Sequence, residues 1–276
     1  MTPAIICTVL AAALLHAVWN AMVKGSGDKT VMLGLIALGH VVPGVAMLAL
    51  FPAPSVAAVP YIVASTVIHW GYYYFLSTAY RFGDLSFVYP IARGLTPVMI
   101  ALGATVWADE HLPLTAWGGI VIVSLGIITL VIKRGGFSGP ALMAALITSL
   151  TIAAYSIVDG IGIRLSGSPF GYIAWIFSAE VCVFAFIVLR FHKRMSQLTR
   201  RIGLIGICGG VLSGAAYGLV LYAKTFAPLG LVSALRETSV VFAAMIGVFW
   251  FHEGPGFRRV IAAIIVSIGI IVITLV

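Results

Sequence analysis

Charge is what this sequence has least of. Of 276 residues only 9% are Asp, Glu, Lys or Arg, while 62% are hydrophobic. A soluble domain carries about 25% charged residues, so the coat that water would solvate is missing and a soluble globular protein is excluded. Cysteine is scarce too. Cys7, Cys182 and Cys208 are odd in number, lie in apolar runs and lack paired ligand spacing, which excludes a disulfide framework and a cysteine metal site. No H-E-x-x-H, G-x-S-x-G or Gly-rich phosphate loop with Lys occurs, so hydrolysis and ATP-driven work lack their signature residues. No enzyme activity, cofactor or metal is expected. The net charge of +8 is spread over connectors instead of forming a basic stripe on a polar face, which argues against nucleic acid. The first apolar run lacks a basic leader and carries His16, Trp19 and Asn20; it reads as a retained span, not a signal peptide.

What is present is apolar length. Mean hydropathy is +1.15, and a membrane helix needs about 20 apolar residues. Runs bounded by charge, Pro or Gly give ten spans: 3–23, 31–51, 58–80, 85–107, 113–132, 139–159, 170–190, 202–223, 229–251 and 256–276. Lipid leaves no partner for an unpaired backbone group, and barrel-like alternation is absent, so all are helices. The expected fold class is an all-α integral membrane protein of ten transmembrane helices. Connectors after odd-numbered spans hold twelve Lys and Arg, among them Lys24, Arg81, Lys133 and Arg194; those after even-numbered spans hold two, Arg164 and Lys224. By charge, the odd connectors face the cytoplasm and both termini face out.

The chain also repeats itself. Sliding residues 70–132 onto 213–275, a shift of 143, gives fourteen identities in 63 positions, including Tyr74 with Tyr217, Arg93 with Arg236, Trp107 with Trp250 and Glu110 with Glu253. A shift of 136 sets Trp19 opposite Tyr155 and Asn20 opposite Ser156. The reading is two five-span units, 1–135 and 136–276. Five is odd, so the second enters the membrane from the opposite side. Inverted repeats of this kind build secondary transporters whose substrate sits near the midplane.

Few polar residues lie deep. Arg93 (YPIARGLTP) and Arg236 (SALRETS) each stand about eight residues inside a span, roughly 12 Å at the helical rise. Charge at that depth faces a protein interior or a watery path, and a guanidinium offers a planar fork to carboxylate or phosphonate. Snorkelling or pairing, Arg236 with Glu237, is the competing explanation. Pro90 and Pro97 flank Arg93, so span four is expected to be the broken helix; Ser233 and Val240 at the matching positions leave span nine without that kink. Glu180 and Glu237 are candidate proton carriers or charge partners, while Asp159 reads as reaching water. His16, Trp19 and Asn20 share one helical face, as do Trp70, Tyr73, Tyr74 and Ser77, and an aromatic wall with a few donors suits a substrate cavity. Interfacial belts and helix packing explain many such rings equally well, and for His40 belt or packing is the expectation. Gly206, Gly210, Gly214 and Gly218 draw a smooth strip for helix packing. Glu110 and Glu253 are expected to cap the helices that follow them or to stabilise the turns they stand in.

The polar first span (HAVWNAMVKG), the acidic closures of spans four and nine (WADEHLP, FWFHEGP) and the endings S-L-G-I-I and S-I-G-I-I resemble the EamA-type branch of the drug/metabolite transporter superfamily. That resemblance implies a ten-helix basket in the bacterial inner membrane, its cavity lined by spans one, three, four, six, eight and nine. It also implies proton- or exchange-coupled movement of small metabolites, by alternating access. Its cavity would receive His16, Trp19, Asn20, Tyr73, Tyr74, Arg93, Tyr155, Tyr217 and Arg236, with Glu180 on a peripheral helix. Members usually have cytoplasmic termini, opposite to the charge count. The partners expected are a small organic anion or zwitterion, membrane lipid, and protons or a counter-substrate. Export of amphiphilic cations with Glu237 as counter-charge is the alternative within transport, and a non-transporting membrane subunit the alternative outside it.

Overall fold

The computed structural model describes residues 1–24, 28–82, 85–130, 139–252 and 256–275, with the side chains of 73 and 76–89 outside the description. The described residues form helices and no strand. In chain order these are α1 (Pro3–Val23), α2 (Lys29–Leu50), a short 3₁₀ turn (Val56–Ala58), α3 (Val59–Phe82), α4 (Leu85–Trp107), α5 (Leu114–Ile128) and α6 (Gly139–Leu165). There follow α7 (Pro169–Ala179), α8 (Val181–Arg190), α9 (His192–Met195), α10 (Arg200–Lys224), α11 (Leu229–Arg236), α12 (Ser239–Phe249) and α13 (Phe257–Thr274). Seven stretches among the described residues are long and apolar enough to cross a bilayer, and the chain is a multi-pass membrane protein.

Helix starts follow ordinary capping chemistry. Asp28 accepts from the amides of Thr30 and Val31 ahead of α2, Ser168 from Gly171 ahead of α7, and Thr199 from Ile202 ahead of α10. Helix breaks do not fall where proline predicts. The backbone of α4 runs unbroken through Pro90 and Pro97, because a buried helix can lose an amide donor when neighbours re-satisfy the carbonyls. Spans seven and nine are the broken ones. At the α11/α12 junction the amides of Glu237, Thr238 and Val240 bond three residues back instead of four, a tight 3₁₀ turn, and the Thr238 hydroxyl donates to the Leu235 carbonyl. At the α7/α8 junction the Glu180 amide likewise reaches Phe177.

The helices pair as α5 with α13, α1 with α10, α3 with α6, α4 with α6 and α11, and α2 with α10, α7 and α8. The glycine strip of α10 lies against α2: a Cβ on Gly210 would stand 2.4 Å from the Ile36 carbonyl oxygen, and one on Gly39 2.6 Å from Gly210 Cα. Only glycine permits backbones that close.

Candidate functional site

Six helices send polar side chains to one place in the bundle. Arg93 of α4 meets Glu237 at the α11/α12 junction, Nη2 to Oε1 2.8 Å, and both are almost wholly buried. Glu237 stands in the 3₁₀ turn directly after Arg236 and is 1% exposed. Arg236 takes a different environment. Its Nη2 lies 3.4 Å from His16 Nδ1 on α1, and its guanidinium sits 5.9 Å from the ring centre of Tyr217 on α10. Its Nε is buried without a hydrogen-bond partner among the described residues, as are His16 Nε2 and Glu237 Oε2. Buried polar atoms are normally satisfied, so three orphans in one cluster make it the candidate site. The repeat mates Arg93 and Arg236 are thus not equivalent: Arg93 has a carboxylate within ion-pair distance and Arg236 has none among the described residues.

Aromatic rings complete the surround. His69 of α3 stacks on Tyr155 of α6 at 4.1 Å, and Tyr217 approaches both edge-on, at 5.9 Å and 6.0 Å. Trp19 donates to His16 Nδ1 at 3.3 Å, fixing that imidazole from within its own helix. Asn20 spends its amide on the His16 carbonyl at 2.7 Å, so it acts locally. The expected residues His16, Trp19, Arg93, Tyr155, Tyr217, Arg236 and Glu237 come together on α1, α4, α6, α10 and the α11/α12 turn. Two expectations do not. Tyr74 is 67% exposed and turned edge-on to Phe75, because it lies two residues from Tyr72, which does reach Tyr155. Glu180 sits at the α7/α8 junction, 3.0 Å from His40 of α2, apart from the central cluster. Of the two alternatives for His40, belt and packing, the structure shows packing: it is buried and stacked on Phe177. The Tyr73 side chain and Glu253 lie outside the described residues.

A second buried polar group was not legible in the sequence. Asp159 of α6 is fully buried, not at water, and accepts from the hydroxyls of Tyr172 and Tyr217. Lys224, which reads as a connector cation, is 1% exposed and donates to the Ser156 carbonyl at 3.0 Å. Arg164 donates to the carbonyls of Lys224 and Ala227 and pairs with Glu110 at 2.7 Å. The other Glu110 oxygen accepts from the Leu229 amide, so Glu110 caps α11, not the helix that follows it. Only the fold brings 110, 164 and 229 together.

The EamA-like transporter family matches residues 139–275. Through its second half, the chain belongs to the EamA-like transporter family, part of the drug/metabolite transporter superfamily. Its membrane-spanning helices fit that membership, and the family's members are transporters, not enzymes. A solved crystal structure resembles this EamA chain with a TM-score of 0.81 at 19% identity, over 100% of this chain and 98% of that one; such a likeness concerns the fold alone. No curated protein matches the sequence.

Proposed function

We propose that this EamA protein is a secondary transporter that moves a small organic anion or zwitterion across the bacterial inner membrane by alternating access. The observation that carries the reading is Arg236: a deep guanidinium with no carboxylate at ion-pair distance among the described residues, beside an arginine already paired with Glu237. One positive charge is left over for a substrate carboxylate or phosphonate, which a guanidinium binds with two parallel donors, while the rings offer a flat apolar wall. A cationic substrate fits less well, since Glu237, its intended counter-charge, is engaged by Arg93.

The architecture proposed is ten spans in two inverted repeats, 1–135 and 136–276. Two observations support it beyond the sequence. Asp109 and His252, superposed by the shift of 143, are the non-glycine residues with positive φ among the described residues, at 53° and 52°. Where α5 crosses α13, Gly126 faces Val266 and Gly269 faces Val123, a pair of contacts that the same shift exchanges. The membrane orientation proposed keeps the odd connectors cytoplasmic, since the two cations of the even connectors, Arg164 and Lys224, are consumed by internal bonds.

The test is a thermal-shift screen of purified protein against benzoate, phenylphosphonate, amino acids and tetraalkylammonium salts, followed by uptake of any stabilising compound into proteoliposomes. A ligand near 100 times its Kd stabilises by about 2.7 kcal/mol. Anions are expected to stabilise the wild type and not R236M. Stabilisation by ammonium salts alone would overturn the reading.

A further inference from the structure

Lys224 has no role in the anion site described above, yet its placement is unusual. Its ammonium is buried at the end of α10 with a single acceptor among the described residues, the Ser156 carbonyl at 3.0 Å. An ammonium carries three donors, and burial disfavours the charged form of a lysine unless a carboxylate is in direct contact. None lies within ion-pair distance among the described residues. Asp159 stands about one helical turn beyond Ser156, and each of its oxygens accepts from a tyrosine hydroxyl, those of Tyr172 and Tyr217. The group whose charge is least supported is therefore the amine.

The charges acting on Lys224 are few. Asp159 and Arg164 face it from α6, Glu110 from the end of α4, and Arg236 from α11. From α7 comes the Tyr172 hydroxyl, by way of Asp159. From α1, Val9 and Ala12 pack against the neighbouring Val220 and Ala223. Tyr217 on its own helix links it to the anion site, with its hydroxyl on Asp159 and its ring under Arg236.

We propose that the Lys224 amine is a proton-binding site coupled to Arg236, so that anion and proton are bound together. The proposal deepens the transporter reading by naming its coupling group. The logic is electrostatic. An empty Arg236 repels a proton from Lys224; an anion on Arg236 cancels that repulsion, and by linkage a proton on Lys224 tightens the anion by the same factor. The pair then travels electroneutrally.

The experiment needs no substrate. Purified wild type, K224M, K224R and R236M in lipid nanodiscs are titrated potentiometrically between about pH 5 and pH 9, a window clear of unperturbed lysine and carboxylate titrations. Circular dichroism and gel filtration establish folding. The wild type is expected to bind one proton more than either Lys224 variant across this window, and the two variants provide independent checks should one misfold. In R236M the midpoint of that proton should move to higher pH. A wild type indistinguishable from both Lys224 variants overturns the proton site, and an unmoved midpoint in R236M overturns the coupling. Either failure leaves the anion screen standing, and a failed screen leaves the titration interpretable.

Discussion

Arg93 and Glu237 meet 2.8 Å apart, 144 positions from one another in the chain and both shielded from solvent. Breaking such a pair leaves a buried charge alone, at about 3–5 kcal/mol, whereas replacing both partners with apolar residues removes the problem. R93M and E237L are each expected to lower the unfolding midpoint of the detergent-solubilised protein sharply. The double variant R93M/E237L should recover most of the loss, as measured by thermal unfolding of all three.

Tyr217 supports Asp159 through its hydroxyl. Hydrogen bonds to charged groups contribute about 1.5–3 kcal/mol, so Y217F should destabilise by that order. Y172F removes the other donor and should do the same, and the double variant should lose more than either. Denaturant titration of the three variants checks this.

At the crossing of α2 and α10 the prediction is positional. G39A and G210A insert a methyl where backbone atoms stand within 2.6 Å and 2.4 Å, and overpacking of this kind costs about 1–3 kcal/mol. G203A on the same helix meets nothing within 4 Å and should leave the midpoint unchanged or slightly raised. The contrast within one helix separates helix propensity from packing.

E110Q keeps the shape of its side chain but loses the charge opposite Arg164 and weakens the acceptor for the Leu229 amide. A loss of about 2 kcal/mol is expected, and R164M should produce a similar loss. The combined variant should fall short of the sum, because the two residues serve one network. Thermal unfolding of single and double variants measures the shortfall.

Much of this molecule was legible in the sequence. The limits of α1 and α4 coincide with the apolar runs 3–23 and 85–107, since an abrupt fall in hydropathy is a local signal. The central residues were found by depth: Arg93 and Arg236 are charges where lipid tolerates few. What local signals could not carry was pairing. Nothing in SALRETS says that its helix stops after Arg236 so that Glu237 can reach Arg93, and the prolines pointed to the wrong span. Lys224 and Arg164 read as connector cations because burial at a helix end is decided by the helices around it. Tyr74 was drawn in by the helical face it shares with Trp70 and Ser77, but spacing says which residues share a face and not which way that face points.

The network around Arg164 has a mechanical meaning. Glu110 joins residues 164 and 229, the Ser55 hydroxyl donates to the Leu165 carbonyl, and the Ser168 hydroxyl donates to the Pro52 carbonyl. Each bond runs between the first 135 residues and the remainder, and all lie in connectors that emerge on one side of the bundle. A motion that keeps them intact cannot slide or separate the two parts on that side. In the proposed transport cycle the two parts would then swing about this side, at the expense of the exposed Arg194–Asp28 pair that joins them in the opposite connectors.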